Sequence, residues 1–493
     1  MVRRLVLLAG ALAACGNDRA SPEAEVPADP AVVPARVRLL SDAQYANAVH
    51  DLLGDHIVVP ALQTPGTHPH QFIHDDVLAV DAALLVQYRI AAETIARQLE
   101  TAPPCDATCA RDFAERAFRR PLEADEASEL AALNAAGGLA LLGEAVLQAP
   151  SFVYRTELGA APVAPVALTS YELATELSFL FLDSIPDPAL WAAARDESLL
   201  QPEVLDQHVD RLLALPRVRA HLTQVVLDWL GIPSVLEARK DPGLYPEMTP
   251  ELRDAMYAET RAFVDDVLWN HGGSLRELLT SEARHEKRAL VPVYSDDRGR
   301  RAGILTHASV LTMLASEQRE SIIRRGMFIR HKFLCLPDPG RPPFSAIVAE
   351  SSFTHAMTES QFSFFRLAHV YCSGCHTAID PPGRALHQFD ALGRWRETDE
   401  IDSPVETDTT IEIGGERRDI RNAVELAHAL ADSDHVARCV ADQLANHAYG
   451  RPLVDSAAQA HLHARFAESG HDLVEVFRAV ATSPAFRYRR GAP

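Results

Sequence analysis

Basic residues are scarce in this chain of 493 residues. It has 47 Lys and Arg against 68 Asp and Glu, which gives a formal net charge of -21 at pH 7. Nucleic acids and anionic membrane surfaces are bound by clustered positive charge that displaces counterions from phosphates. The short basic pairs Arg324-Arg325 and Arg489-Arg490 are typical of solvated faces or internal ion pairs. We therefore expect no nucleic-acid partner.

Signatures of several enzyme classes are also lacking. The sequence has no nucleophile elbow, no P-loop and no zinc-protease motif, so hydrolytic and nucleotide chemistry have no positive support. The acidic pair Asp265-Asp266 is unsuited to acid-base catalysis, because adjacent residues on a helix do not face each other. Beyond the N-terminus, no apolar run is expected to reach the roughly 20 residues that cross a bilayer.

The N-terminus has the pattern of an export signal. Arg3 and Arg4 precede an apolar stretch, and Leu12-Ala13-Ala14-Cys15 resembles a lipobox, in which Cys15 receives the lipid. The alternative is a simple secretory signal with an incidental Cys15. We expect residues 1–15 to be the lipoprotein signal with its lipobox cysteine, and 16–36 to be a flexible tether. The expected location is the cell envelope, as a periplasm-facing or surface lipoprotein, with the outer membrane favoured by Gly16 after the cysteine.

Export permits disulfides, and six cysteines remain once Cys15 carries a lipid. Cys105 and Cys109 flank a short Asp-Ala-Thr loop, and we predict that they pair. Cys335 and Cys439 are left to each other by elimination, or are both small buried hydrophobes.

Helical periodicity dominates the rest of the chain. A capping box at Ser41-Asp42-Ala43-Gln44 opens the first amphipathic segment, and Arg111–Leu147 is helical with breaks at Arg120-Pro121 and Gly137-Gly138. Alternation over Pro404–Gly414, turning at Gly414-Gly415, predicts one small hairpin. We predict a mainly α fold of several helical domains in series, with one small β-hairpin, over residues 37–102, 103–160, 165–295, 300–400 and 401–490.

The one strongly specified chemical pattern is Cys372-Ser373-Gly374-Cys375-His376. A Cys-x-x-Cys-His motif supplies two thiols for thioethers to the haem vinyl groups and an adjacent imidazole for the iron. We therefore expect a cytochrome-c-like segment in which haem c is held covalently by Cys372 and Cys375, with His376 as the proximal iron ligand. Two alternatives stay open: a Cys372-Cys375 disulfide, or a zinc site completed by another histidine.

Two further hypotheses concern the residues that follow the motif and the sixth ligand of the iron. Asp380-Pro381-Pro382-Gly383 is expected to turn the chain away, with a carbonyl of this region accepting the Nδ1-H of His376. No methionine follows His376, so the usual downstream Met ligand of a cytochrome c is absent. Candidates for the sixth iron ligand are His387, His428, His447, His307, Met313, Met327 and Met357.

Ordered short motifs resemble a bacterial envelope family built from domains of unknown function 1587, 1595, 1592, 1588 and 1585. The landmarks are Arg38–Tyr45 with Asp51–Gly54, Ala117–Leu122, Gln148–Arg155, Ser170–Ala174, Gly303–His307 with Arg325-Gly326, Cys372–Gly383 with Phe389–Arg396, Tyr449–Arg451 and Thr482–Phe486. The resemblance implies cytochrome-like proteins with no settled reaction. This sequence departs from the family pattern at Thr377-Ala378-Ile379, His387 and His447.

Two classes of function follow. The favoured one is a lipid-anchored c-type haem protein that acts in electron transfer or as a haem oxidoreductase of unknown substrate, with a redox partner protein and the membrane as partners. The second is a non-redox envelope protein that binds or processes polysaccharide or organises a complex, with Cys372 and Cys375 as a structural disulfide.

Overall fold

The computed structural model describes residues 33–63, 80–159, 165–283, 285, 288–290, 293–294, 299–340, 357–453 and 456–490. Helices dominate these residues and the strands are short, so the predicted mainly α fold is confirmed. The export signal, Cys15 and most of the tether lie outside the described residues.

The N-terminal part is built from helices that pack on one another, from one antiparallel strand pair and from two further short strands that pair with the last described strand. Its elements are β1 (Val33–Pro34), β2 (Arg36–Leu39), α1 (Asp42–Leu53), α2 (Ala82–Leu99), α3 (Ala107–Phe118), α4 (Ala124–Leu147), α5 (Pro150–Val153), β3 (Tyr154–Glu157) and β4 (Val166–Ala167).

The central part is helical throughout, with short 3-10 turns at Ser198–Leu200, Ile232–Glu237, Arg288–Leu290 and Ile304–Thr306. Its helices are α6 (Ser170–Phe181), α7 (Pro188–Arg195), α8 (Pro202–Leu213), α9 (Pro216–Leu230), α10 (Pro250–Asn270), α11 (Leu275–Thr280), α12 (Ala308–Met313) and α13 (Ile322–Lys332).

The C-terminal part contains the Cys-x-x-Cys-His segment and a hairpin. Its elements are α14 (Glu359–Ala368), α15 (Ser373–Arg384), β5 (Thr409–Ile413), β6 (Glu416–Ile420), α16 (Ala423–Ala431), α17 (Asp434–Tyr449), α18 (Ser456–Glu468), α19 (Leu473–Thr482), α20 (Pro484–Arg487) and β7 (Tyr488–Arg490).

Several helix boundaries follow from capping chemistry in the sequence. The Ser41 hydroxyl accepts the Gln44 amide and the Gln44 side chain accepts the Ser41 amide, so the predicted capping box is present. The predicted break after Phe118 is present too, with Arg119 in the left-handed region at φ 60°. Gly137 and Gly138 interrupt α4, because both have non-helical backbone angles.

Helix α4 departs from one expectation. Among the described residues it alone is long and apolar enough to cross a membrane by length and composition, whereas the sequence was expected to hold no such segment. In the structure α4 packs along α2 and α3. Core helices can have the same length and composition as membrane-spanning helices, so α4 fits either kind of helix by these two properties.

The strands form three small sheets. The predicted hairpin is present as β5 and β6, with the turn at Gly414 and Gly415, both at positive φ. It begins at Thr409, so residues 404–408 of the predicted strand are not part of it. A second antiparallel pair joins β2 to β3, and a third sheet has the order β1-β7-β4. In that sheet the first described strand pairs in parallel with the last, Val33 opposite Arg489.

Two large clusters of buried side chains hold the helices together. The first, within residues 45–185, includes Tyr45, Tyr88 and Phe152. The second runs from Leu168 to Phe486 and includes Trp229 and Phe333, whose rings meet edge to face at 5.8 Å between centroids. Aromatic pairs of this kind add stabilisation beyond the area they bury. The Cys-x-x-Cys-His helix lies against the second cluster through Ala385 and Leu386, which follow it directly.

Two disulfides are present among the described residues. Cys105 bonds to Cys109 at the start of α3, where Asp106 also caps the helix. Cys335 bonds to Cys439 and so joins the segment after α13 to α17. The sequence left open whether Cys335 and Cys439 pair or are separate buried side chains. In the structure they form a disulfide.

Candidate functional site

The Cys-x-x-Cys-His motif opens α15, which we call the motif helix. Cys372 is its N-terminal capping residue, and its carbonyl accepts the backbone amides of Cys375 at 3.2 Å and His376 at 3.1 Å. Helical residues three and four apart share a face, so both thiols and the imidazole lie on one side of the first turn. This is the arrangement that a covalent haem requires of its protein ligands.

The two motif cysteines are not joined in a disulfide. Cys372 is buried and Cys375 is partly buried, and neither forms a disulfide, in contrast to the four other cysteines that the structure describes. Nδ1 of the His369 ring lies 3.7 Å from the Cys372 sulfur, and the Pro339 carbonyl oxygen lies 3.9 Å from the Cys375 sulfur. Both side chains are therefore thiols.

The orientation of His376 is set by a carboxylate one helical turn away. Its Nδ1 lies 2.8 Å from Oδ1 of Asp380. An ionised carboxylate only accepts hydrogen bonds, so Nδ1 carries the proton and donates it. That leaves Nε2 with its lone pair free for a metal. The side chain of His376 is 17% exposed, which leaves this nitrogen accessible.

Asp380 stays ionised although it is buried. Burial raises the pKa of this carboxyl, but hydrogen bonds from His376, Arg366 and Ser363 outweigh burial and hold the pKa below its usual value. The Ser363 hydroxyl donates to Oδ2 at 2.7 Å and the Arg366 Nε at 3.2 Å. Arg366 in turn donates to Glu359 at 3.1 Å. Glu359, Ser363 and Arg366 all belong to α14, so the contact between α14 and the motif helix fixes the position of His376.

Two hypotheses about this region were wrong. The acceptor for His376 is the Asp380 side chain and not a carbonyl of the proline region. The chain does not turn away at Asp380 either, because the motif helix continues to Arg384 through Pro381 and Pro382. Proline in a helix leaves the carbonyl four residues earlier without its donor. Here Arg330 of α13 donates to the Ala378 carbonyl at 3.4 Å in place of the missing amide.

The motif helix lies unusually close to α13. A Cβ placed on Gly326 would be 1.9 Å from the Ile379 carbonyl oxygen, and one placed on Gly383 would be 1.9 Å from the Ile322 carbonyl oxygen. Both positions therefore need glycine for steric reasons. These two glycines therefore determine how closely the motif helix packs against α13.

His387, a candidate for the sixth ligand, is committed elsewhere. Its side chain is 1% exposed, its Nε2 lies 2.7 Å from the Ser360 hydroxyl, and its Nδ1 lies 3.3 Å from Glu320. Burial, followed by the nearby Arg396 and Arg325, lowers the pKa of His387 to about 3. It is therefore a neutral group that joins α14 to the segment after the motif helix.

The other candidates lie on several different elements. His307 is buried against Glu259, with its Nδ1 2.9 Å from the carboxylate, and Met313 accepts a hydrogen bond from Ser234. His428 and His447 lie in α16 and α17, whereas the motif helix packs chiefly on α13, α14 and β5. Met327 and Met357 belong to or precede those flanking helices.

Exposed apolar side chains directly precede the motif and lie on α14. Val370 is 77% exposed and Tyr371 55%, and Phe364 on α14 is 72% exposed. The centroid of the His369 ring is 4.9 Å from that of Phe365 and 5.6 Å from that of Tyr371. Val370 and Tyr371 thus give the start of the motif an apolar surface. Within the described residues, no group of three His, Cys, Asp or Glu side chains forms a metal site.

The sequence reasoning missed Asp380, Ser363, Arg366 and His369. Asp380 follows His376 by four residues, which is a detectable helical spacing once the segment is recognised as helical. Ser363 and Arg366 have no local signal, because they act from a different helix. The acidic pair behaves as expected: Asp265 accepts from Thr223, whereas Asp266 faces His271 and His285.

Family models match the chain in series, and each describes a protein of unknown function. They are DUF1587 at residues 38–100, DUF1595 at 105–157, DUF1592 at 168–295, DUF1588 at 301–399 and DUF1585 at 416–486. The Cys-x-x-Cys-His motif lies in the DUF1588 match. No curated protein and no solved structure matches the chain. The chain belongs to the family of proteins that carry these five domains in this order.

Proposed function

We propose that this protein is an envelope lipoprotein that carries a covalent c-type haem on Cys372, Cys375 and His376, and that it acts in electron transfer or as a haem oxidoreductase. The observation that carries the proposal is the geometry of the motif helix. Two cysteines that form no disulfide and an imidazole share one face, and the imidazole is hydrogen-bonded through Nδ1 to a buried carboxylate.

The protein groups have separate tasks in this proposal. Cys372 and Cys375 supply the thioether sulfurs, and His376 supplies Nε2 as the iron ligand. Asp380 fixes the tautomer and orientation of His376 and raises its basicity through the hydrogen bond at Nδ1. The bound haem would supply an iron centre that gains and loses one electron.

The apolar surface around the motif supports the same proposal. Val370 and Tyr371 are exposed and directly precede Cys372, so a porphyrin covalently held at the motif would have apolar contacts there. A redox partner protein would approach this side of the molecule. Export through the N-terminal signal would bring the chain to the compartment where c-type haem is attached.

The test is the pyridine haemochrome spectrum of the protein produced with a c-type maturation system. We expect a c-type α-band that remains with the polypeptide after acid-acetone extraction and is lost in the C372A/C375A variant. The C105A/C109A variant is the matched control, because it also removes a cysteine pair but lies in α3. Absence of haem from a folded wild-type protein would contradict the proposal and leave a non-redox binding or scaffolding role.

A further inference from the structure

Helix α14 buries polar side chains and exposes an apolar one. The buried residues of the helix are Glu359, Ser363 and Arg366, which follow one another at intervals of four and three positions and so share one face. These three belong to the hydrogen-bonded cluster around Asp380. Helices of water-soluble proteins usually bury an apolar stripe and expose their charged residues. In α14 this order is reversed.

The opposite face of α14 is exposed and carries no charge. It consists of Gln361, Phe364 and Ala368, again at intervals of three and four positions, and all three residues are exposed. The side chain of Phe364 is 72% exposed. We call these three residues the outer face of α14.

The outer face lies within a stretch of sequence that is poor in charge. From Ser360 to Ile379, Arg366 is the only Asp, Glu, Lys or Arg, whereas the 23% of charged residues in the whole chain would place between four and five in 20 positions. Arg366 is buried and paired with Glu359 at 3.1 Å and with Asp380 at 3.2 Å. The cores of protein interfaces are likewise depleted of charge and enriched in aromatic residues.

Another exposed apolar region, on α2, differs in this respect. Leu85, Val86 and Ile90 are exposed there, but the helix also exposes Arg89 and Glu93, which form an ion pair at 3.5 Å. Residues three and four positions apart are neighbours on a helix, so these charges adjoin the apolar side chains. The outer face of α14 has no such charges.

A second copy of this chain fits the outer face better than other classes of partner. The net charge of -21 makes two copies repel each other wherever their acidic surfaces meet, and contact through an uncharged face avoids this repulsion. A basic partner would be attracted to acidic surface instead. Helices that lie on membranes combine apolar residues with Lys and Arg, and the outer face has no Lys or Arg.

The size of Phe364 suits the centre of such a contact. An aromatic side chain buries about 150–250 Å² in full, so at 72% exposure Phe364 has roughly 110–180 Å² left to bury. A stable interface takes about 800 Å² from each partner. Phe364 would therefore supply about a fifth of it, and the residues around it the remainder. Two-fold contacts of one face with itself are the commonest kind in homo-oligomers.

We propose that two copies of this chain pair through the outer face of α14, with Phe364 of each copy packed against α14 of the other. Because the inner face of α14 contacts the motif helix, the two motif helices of the pair are separated by two layers of helix. The pairing does not depend on haem.

The test is photo-crosslinking of the full chain in the envelope of a bacterial host. Two forms with different C-terminal tags are produced together, each with p-benzoylphenylalanine in place of Phe364. After irradiation we expect a product that carries both tags and has twice the mass of the chain. The matched control has p-benzoylphenylalanine in place of Leu244, which is 55% exposed, and should give no such product.

Two variants test the same contact without crosslinking. Phe364→Ser removes the central ring and Ala368→Glu places a negative charge on the outer face of each copy. Each should reduce co-purification of the two tagged forms about ten-fold or more, whereas Leu244→Ser should not. All three positions are exposed, so the unfolding temperature should stay close to that of the wild type.

These assays do not read haem, so they separate this proposal from the proposed function. The pairing is overturned if the residue in place of Phe364 crosslinks only to another protein or to lipid, or gives no product. It is also overturned if co-purification is unchanged by both Phe364→Ser and Ala368→Glu.

Discussion

Nδ1 of His376 lies 2.8 Å from Oδ1 of Asp380, and that carboxylate is itself held by α14 through Ser363 and Arg366. A fully ionised acceptor makes the imidazole a stronger donor to a metal than a carbonyl acceptor would. The pair of His376 and Asp380 therefore determines the position of the proposed iron ligand and its strength as a donor to the metal.

If the proposed haem is bound, Asp380→Asn should raise its reduction potential. An amide would accept the Nδ1 hydrogen bond more weakly, so His376 as an iron ligand would stabilise Fe(III) less. A ten-fold change in the ratio of Fe(III) to Fe(II) affinity corresponds to about 60 mV. Spectroelectrochemical titration measures the shift. Asp442→Asn is the matched control, because Asp442 and His463 form a similar pair at 2.8 Å on other helices. An unchanged potential in Asp380→Asn would contradict the role given to the carboxylate.

Gly326→Ala should destabilise the fold strongly. The new methyl group would meet the Ile379 carbonyl at 1.9 Å, and overpacking of this kind costs about 1–3 kcal/mol or more. Chemical denaturation measures the free energy of unfolding. Gly374→Ala on the motif helix is the control, since its Cβ would have no neighbour within 4 Å, and it should be neutral or slightly stabilising. Equal stability of the two variants would show that α13 and the motif helix are not in close contact.

His387 should make the protein sensitive to acid. The pKa of about 3 in the folded state lies below the ordinary histidine value of about 6.5, so the folded state favours the neutral ring. Its contribution to stability is complete above pH 6.5 and is lost as the pH falls towards 3, at about 1.4 kcal/mol per unit. We expect His387→Gln to flatten the dependence of urea unfolding on pH in this window. His428→Gln, at an exposed position on α16, should leave the dependence unchanged.

The two disulfides should differ in their effect on stability. In the chain-entropy model, a bond that closes about 100 residues contributes about 4.7 kcal/mol and a very short loop about half of that. Cys335 and Cys439 are 104 residues apart, whereas Cys105 and Cys109 are 4 apart. The double serine variant of Cys335 and Cys439 should therefore unfold at clearly lower urea concentration than that of Cys105 and Cys109. The opposite order would indicate that native-state strain outweighs loop entropy.

Cys15→Ala should release the protein from the membrane. If Cys15 carries the lipid, its loss removes the membrane anchor. Residues 16–36 then no longer connect the protein to a membrane. Detergent partitioning of cell fractions, together with the intact mass of the N-terminal peptide, checks this outcome. Recovery of unlipidated wild-type protein in the soluble envelope fraction would favour the simple secretory signal.

The elements that the sequence predicted best are those with local chemical signals. The capping box at Ser41, the break before Pro121 and the turn at Gly414-Gly415 each depend on side chains within a few residues, and each is present. The motif helix was missed because Pro381 and Pro382 normally end a helix. The contact of Arg330 with the Ala378 carbonyl, from a separate helix, supplies the donor that Pro382 lacks.

The supporting groups of the site were harder to foresee for a related reason. Asp380 lies on the same helix as His376, so its spacing was informative, but the position of Arg366 depends on how α14 packs. The network of ion pairs around Glu157 was harder still to foresee, because Arg36 and Arg489 lie 121 and 332 residues away from Glu157 in the sequence. No periodicity or short motif marks such partners before the chain is folded.

That network also connects the two ends of the described chain. Val33 pairs with Arg489 in one sheet, and Arg489 reaches the buried Glu157 that Arg36 also contacts. Synthesis runs from the N-terminus, so Val33 is made long before Arg489. The sheet at Val33 therefore closes only once Arg489 has been made, and a product truncated before Arg489 would be recognisable to proteases by an open N-terminal edge.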